Sequence, residues 1–555
     1  MRNFLKYWFT AVLSVLSVLA ALSQPNNDSL NIRKWRHYPT SQWGVSTSGV
    51  NNGLWGYVDT VLNKEYAVAG NFKGLLITDV TTPAQPVNKL WVPGVYSIWR
   101  EIRSYKNFIY MVHDHVDATS PVSAEGLLIV DMDSLSSSRY KKMKIPVPMP
   151  NNTWDTVRRA HTLFVDENGY LYLFGTNVGQ GGAVILNLQP DPWNPTVVGH
   201  FNGNYIHDGY VRNDTLWAAS LWNGLVVVNV ALKSSPMIIG SFATPSNFAH
   251  NAWLDDAGDV LFTTDEVANG FITAYDITNL SNVTELWRKK VQPNTGIIPH
   301  NAHVNGRHLH TSYYTFGTIV QDIECSKDPV LIGYYDTSPY SGGNFHGAWS
   351  VYPYLPSGTL LVNDLETGLW ILNPDLPRVT RIGGTVVFDV NGAGQNTPWT
   401  AVMGNNPGYL YFKQRSDTVQ VSSNGTFFFR TIGPLSDTLV FSMPGVTVTA
   451  EIPFLRLGGG CPQDTLVINH TVGLGESPTS ALVLRTSESA WHVNGWPMDA
   501  GTLEYTLYTA VGQKVQHGLT HTSVVPFPEG GISGAYILHL RGINGRIAVL
   551  KAIRP

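Results

Sequence analysis

Short apolar runs, each opened by glycine and most closed by Asp or Asn, recur along the first two thirds of the chain. They read GLLITD from Gly74, GLLIVD from Gly126, GAVILN from Gly182 and GLVVVN from Gly224. The series continues with GFITAYD from Gly270, GTIVQD from Gly317 and GLWILN from Gly368, at intervals of 42 to 56 residues. Continuous apolar runs this short, bounded by turn formers, predict buried strands. Two more strand-like runs joined by a polar turn precede each copy, as in HNAWL, DDAGD and VLFTTD before the fifth. A further run follows after a turn. Each unit therefore predicts four strands, A to D, in a meander, and a repeat of this length with four strands is the signature of a β-propeller blade. A β-solenoid or a string of sandwiches would fit four strands per repeat less well. Seven copies predict seven blades. Because an open sheet edge invites aggregation, the ring needs a closure, and Ser29–Trp35, ahead of the first A strand LWGYVD, is expected to supply the outer strand of the last blade.

The repeat stops near Arg378. RIGGTVVFDVNGAG and DTVQVSSNGTFFFRT then alternate apolar and polar positions around Asn-Gly turns, which predicts a small β-sandwich over 378–472. A third unit, 477–555, closes in a hairpin pattern, GAYILHLRGINGRIAVLKAIRP. The expected fold class is all-β: a seven-bladed β-propeller over 24–377 followed by two small β-sandwich domains.

Composition narrows the function. Gly (52) and Pro (33) are plentiful in 555 residues, which suits many tight turns. A formal charge of −4 leaves no polybasic footprint, so nucleic acid is not expected as the main partner. Residues 1–23 read as a secretory signal: Arg2 and Lys6, an apolar run from Tyr7 to Leu22, and small residues before Gln24. An uncleaved anchor is the alternative, for which the run is short. No transmembrane segment is expected after signal cleavage. Export permits a disulfide between Cys325 and Cys461, but two cysteines do not make a disulfide framework.

GLLITDVTTPAQPV resembles the LVIVD repeat. The wider set WGYVD, WREI, HTLFVD, YIHDGYV, FAHNAWL, PHNAHV and FHGAWSVYPYLPSGTLLVNDLETGLWIL resembles the choice-of-anchor B family over roughly residues 30 to 375. That resemblance implies an exported, propeller-like protein and brings no catalytic residues with it. GGTVVFDVNG and SSNGTFFF are similar to carboxypeptidase-regulatory-like modules. YTLYTAVGQKV and the closing hairpin resemble a type IX secretion sorting domain, although the Asn-Pro opening common in such domains is missing. This implies a Gram-negative cell of the Bacteroidetes type, the type IX secretion machinery as a partner, and an extracellular or outer-membrane surface location.

Histidine heads one A strand after another. Aligned by unit, the first A-strand residues are Trp55, Arg100, His161, His207, His250, His300 and His346. In a propeller strand A lies nearest the axis and the end of B shares its face, which adds His113, Asp114, Asp265, Glu266, Asp364 and Glu366. Three uses are open. The imidazoles could cap neighbouring strands, as a copied blade would repeat. Some, His250, His300 and His346 with Asp265 or Glu266, could hold a divalent metal, the one cofactor the pattern admits. Or Arg100, His161, His207, His250, His300 and His346 could line a central funnel for an anionic or carbohydrate ligand, a protein ligand at the same face being the other partner class. His303 falls three residues after His300, on the opposite strand face. Trp55, Trp99, Trp253 and Trp349 suit packing between sheets or, less simply, sugar stacking. No GxSxG elbow, P-loop or Cys–His pair occurs. The expected function is non-enzymatic ligand or partner binding by an exported propeller. A metal-dependent lyase or hydrolase using a His-lined funnel, and a structural surface component, are the alternatives.

Overall fold

The structure, a computed structural model, describes residues 28–45, 50–115, 125–149, 152–390 and, in shorter stretches, 396–554. The signal segment and the 472/477 boundary lie outside the described residues. Two compact units divide between Pro377 and Arg378.

In the first unit β1 (Ser29–Leu30) and β2 (Ile32–Tyr38) precede a run of four-stranded antiparallel sheets. The first sheet is β3–β6 (Asn51–Asp59, Lys64–Asn71, Gly74–Asp79, Val87–Pro93) and the second β7–β10 (Arg100–Tyr105, Phe108–His113, Leu127–Asp131, Tyr140–Met143). A hairpin, β11–β12 (Ile145–Met149, Thr153–Val157), leads to the third, β13–β16 (Thr162–Val165, Tyr170–Phe174, Ala183–Asn187, Thr196–Phe201). The fourth is β17–β20 (Asp208–Arg212, Thr215–Ala219, Leu225–Asn229, Met237–Phe242) and the fifth β21–β24 (Ala249–Leu254, Val260–Asp265, Ile272–Asp276, Thr284–Lys289). The sixth is β25–β28 (Ala302–Asn305, His308–Ser312, Thr318–Asp322, Val330–Tyr335), and the seventh combines β29–β31 (Ala348–Tyr352, Leu360–Asp364, Gly368–Pro374) with β2. The first strands of successive sheets lie side by side, and β29 lies against β3, so the order returns to its start. This is a β-propeller.

The repeat now has a physical reading. Its third strand is buried, up to a closing Asp79 or Asn229 that is half-buried in two copies, because both faces of each sheet meet a neighbour. Its glycine is needed for close approach: at Gly224 (φ +73°) and Gly317 (φ +77°) a Cβ would sit 2.5 Å from Phe242 O and 2.1 Å from Tyr335 O. Its Asp or Asn makes an Asx turn, the side-chain oxygen accepting the N–H two residues on. Asp79–Thr81, Asn187–Gln189, Asn229–Ala231 and Asp276–Thr278 all do this at 2.9–3.2 Å.

Closure comes from the N-terminal segment, with the closing strand three residues further along than expected. Ile32–Tyr38 is the strand that pairs with β31, while Ser29 and Leu30 pair instead with Tyr335 and Tyr334 of β28. Ile32 is buried, and His37 stacks on Trp370 at 3.9 Å.

In the second unit β32 (Val379–Val390) pairs with β33 (Asn396–Pro398), β36 (Thr426–Ile432) and, in parallel, β39 (Asp464–His470). Its residues Val386 and Phe388 share one core with Trp399, from the short helix Trp399–Met403, and with Leu410, Phe412 and Phe441 from the sheet built on β34 (Gly408–Phe412) and β37 (Leu435–Met443). Further on, Trp491 and Val525 share a core with Leu507, Leu538 and Leu540. The closing pair, β45 (Gly534–Gly542) and β46 (Ile547–Arg554), is antiparallel; its turn lies outside the described residues. Neither cysteine is free: Cys325, buried, and Cys461 are both disulfide-bonded. Among the described residues no helix is long and apolar enough to cross a membrane.

Candidate functional site

The inner strands carry three successive tiers of side chains down the propeller axis, because each residue along an extended strand advances by about 3.3 Å. At the mouth, imidazoles from consecutive sheets touch. Ring centroids are 4.1 Å apart for His161–His207, 4.6 Å for His207–His250 and 4.5 Å for His250–His300. Trp349 continues the series 4.5 Å from His300, and Trp99 flanks His161 at 6.0 Å. The placement is built by the backbone. The N–H groups of His161, His207 and His300 each bond the carbonyl at the end of their own second strand, at 2.9 Å. His250 sits in a register shift between Ala249 and Asn251.

Glu266, just past β22, closes the group. Its carboxylate lies 3.2 Å from His250 Nε2 and 3.6 Å from His300 Nε2, and it accepts the Tyr314 hydroxyl. One ligand atom each from His207, His250 and Glu266 can be chosen within 4.8 Å of one another. Outer partners orient the rings. Asp114 Oδ2 meets His161 Nδ1 at 2.9 Å, with Arg159 on its other oxygen. The Trp349 carbonyl accepts from His300 Nδ1 at 2.5 Å. Burial pushes His250 and His300 down to about 3 and His207 well below the usual range, so these three are neutral imidazoles. Burial likewise raises the Glu266 carboxyl, against the pull of His300 and Tyr314. At Asp114 burial acts upward, but His161 and Arg159 outweigh it and the carboxyl titrates low.

The middle tier is polar. Arg103 Nη1 donates to Glu101 Oε1 at 2.6 Å, and Asn251 Nδ2 donates to Asp208 Oδ2 at 2.7 Å. Burial raises both carboxyls, and Arg103 opposes the rise in each. The deep tier is aromatic. Phe164, Tyr210, Trp253, His303, Tyr354 and Trp55 follow one another with centroids 4.4–6.4 Å apart. Contacts across the axis, Phe164–Trp253 at 6.0 Å and Trp55–His303 at 6.3 Å, fill the middle. Arg103 lies 4.4 Å over Trp55. The aromatic tier therefore closes the deep end and leaves a shallow well at the imidazole end, where His161, His207 and Glu266 keep partial exposure beside the buried His250 and His300.

Three residues named from the sequence lie elsewhere. Arg100 is buried and its guanidinium is committed to the carbonyls of Asn71, Phe72 and Val95, so it pins loops rather than facing the well. His346 pairs with Glu366 at 2.6 Å and packs on Tyr340, outside the imidazole series. The register shift in β29 falls at Ala348/Ser350, so Trp349, not His346, occupies the place of His250. Asp265 turns away from its neighbour Glu266 and accepts the Ser246 N–H at 2.8 Å. Trp55 lies in the deep tier, as does His303. Tyr314 and the Trp349 carbonyl were not legible as partners, since nothing in SYYTFG or GAWS marks them.

Large apolar side chains surround the mouth on the loops that share its face. Trp222 (71% exposed) stands on Phe248, Tyr96 stacks on Phe72, and Phe345 (58% exposed) abuts Tyr314.

Fold and site together define a β-propeller with a blind, imidazole-lined well. Residues 212–244, the end of β17 through β20 and just beyond, match the LVIVD repeat. No curated protein matches the chain. Among solved structures it is similar to the Swd1 β-propeller domain of Myceliophteria thermophila (10% identity, 61% of this chain and 99% of that one, TM-score 0.41). It is also similar to the periplasmic gluconolactonase PpgL of Pseudomonas aeruginosa (10%, 59% and 99%, 0.42). A third is PorZ, an essential bacterial surface component of the type IX secretion system of Porphyromonas gingivalis (10%, 88% and 58%, 0.36).

Proposed function

We propose that this is an exported, seven-bladed propeller that binds a carbohydrate-type ligand at the mouth of its central well. In this reading residues 378–472 form a carboxypeptidase-regulatory-like sandwich, and 477–555 a sorting domain that delivers the chain through type IX secretion to the cell surface. The sorting assignment rests on the resemblance of the closing hairpin pattern. The observation that carries the binding reading is the blind well itself: neutral imidazoles and one carboxylate converge under a rim of exposed aromatics. Hydroxyl-rich rings suit both parts, since their faces stack on aromatic surfaces while their hydroxyls donate to and accept from imidazole and carboxylate.

A glycan panel screened by thermal shift against the mature full chain, followed by calorimetry on the hits, tests this. Trp222→Ala and His207→Ala should each weaken a hit by roughly tenfold or more, the order of one lost stacking or charge-assisted contact. Trp222 is surface-exposed, so its variant should keep the wild-type melting temperature. Affinity unchanged in both variants would place the ligand elsewhere and overturn the reading.

A further inference from the structure

We propose that His207, His250 and Glu266 hold a divalent transition-metal ion in the well, with His300 beside it. This deepens the ligand-binding reading above and rests on it for the role of the ion, as a charge presented to the bound ligand.

Hydrogen positions carry the inference. A carbonyl oxygen can only accept, so the Trp349 carbonyl fixes the His300 proton on Nδ1. His300 Nε2 is then a bare lone pair, and it faces Glu266 Oε1 at 3.6 Å. That same oxygen already accepts the Tyr314 hydroxyl proton. The Asp114 carboxylate, held by Arg159, likewise holds the His161 ring through Nδ1. Ligand atoms of His207, His250 and Glu266 thus lie within 4.8 Å of one another, with His300 Nε2 3.6 Å from the same carboxylate. Among the described residues the ion-pair neighbours of Glu266 are His250 and His300 alone. A cation in the middle satisfies this set. Asp114–His161 and Trp349–His300 are outer contacts that fix the imidazoles flanking the His207–His250 pair.

The dimensions fit with modest adjustment. Bonds of about 2.0–2.1 Å place tetrahedral ligand atoms about 3.4 Å apart. The ligand atoms here lie within 4.8 Å of one another, so side-chain rotation of the three suffices. Two imidazoles and a carboxylate suit zinc, iron, nickel or copper rather than calcium or magnesium.

The test uses the mature full chain without a histidine tag, stripped with chelator and titrated with Zn²⁺ by calorimetry. Co²⁺ absorption serves as a second readout of imidazole ligation. One equivalent should bind. His207→Ala and Glu266→Gln should each weaken it by about a hundredfold or more, while His346→Ala and Asp265→Asn leave it unchanged. Glu266→Gln keeps the side-chain shape, so it remains informative if His207→Ala misfolds. Absence of stoichiometric Zn²⁺ binding by folded wild type, or binding that survives both ligand substitutions, overturns the metal site. Glycan binding measured in chelator separates the two readings. If Zn²⁺ does not bind but glycan binding persists and still depends on Trp222, only the metal site falls; if no glycan binds with Zn²⁺ restored either, the binding reading falls with it.

Discussion

Asp364 illustrates how much a single carboxyl can depend on its surroundings. It is fully buried at the end of β30 and accepts the Thr337 hydroxyl at 2.8 Å and the Thr367 N–H at 2.9 Å. Burial pushes its pKa up to about 7. The unfolded chain releases that proton near the ordinary value of about 4, whereas the folded chain keeps it until about 7. Between those limits the folded state binds the extra proton, so this group makes stability fall as pH rises, by at most about 1.4 kcal/mol per unit. Asp364→Asn keeps an acceptor for Thr367 and offers an N–H to Thr337. Its melting temperature should therefore exceed the wild-type value at pH 8 and lose that advantage near pH 5. Parallel slopes for the two proteins would refute the assignment. Side-chain partners of this kind were only partly legible. The histidines could be picked out from repetition, but Asp265 and Glu266 could not be told apart by type. Their division of labour follows from strand geometry, which turns adjacent residues to opposite sides.

At the scale of elements the sequence was most informative where chemistry repeats. The glycine–apolar–Asx pattern encodes a close approach, a doubly buried strand and a turn, and all three recur in the structure. Register was less legible. The bulge between Ala348 and Ser350 puts Trp349, three residues after His346, at the well, and bulges leave little trace in a single sequence. The closing strand lies in the same gap between what the pattern says and what pairing decides. Strand β2 covers the edge of β31 from Leu369 to Pro374, and there His37 stacks on Trp370 with Lys34 Nζ 5.7 Å from the same ring. Deleting residues 29–38 should expose that edge. The expected result is a lower thermal midpoint together with concentration-dependent light scattering, because an unpaired edge templates association. An unchanged midpoint would mean that the inner strands alone hold the ring.

The propeller unit is tied together along its axis, where strands from every one of its sheets approach one another. The middle tier places two carboxyls, Glu101 and Asp208, in the interior with one guanidinium, Arg103. Arg103 also joins that tier to the aromatic floor by lying over Trp55 and, at 5.9 Å, Phe164. Removing one partner of a buried charge group leaves the others uncompensated, at about 3–5 kcal/mol. Arg103→Met keeps an apolar stem against Trp55 and removes only the cation. It should lower the thermal midpoint of the propeller unit by several degrees at pH 8. The loss should shrink toward pH 5, since protonated Glu101 and Asp208 no longer need a counter-charge and burial already raises both. Adding Glu101→Gln to Arg103→Met should restore part of the stability at pH 8, for the same reason. A loss independent of pH, and not relieved by the second substitution, would mean that Arg103 acts through its packing on the aromatic floor rather than through its charge.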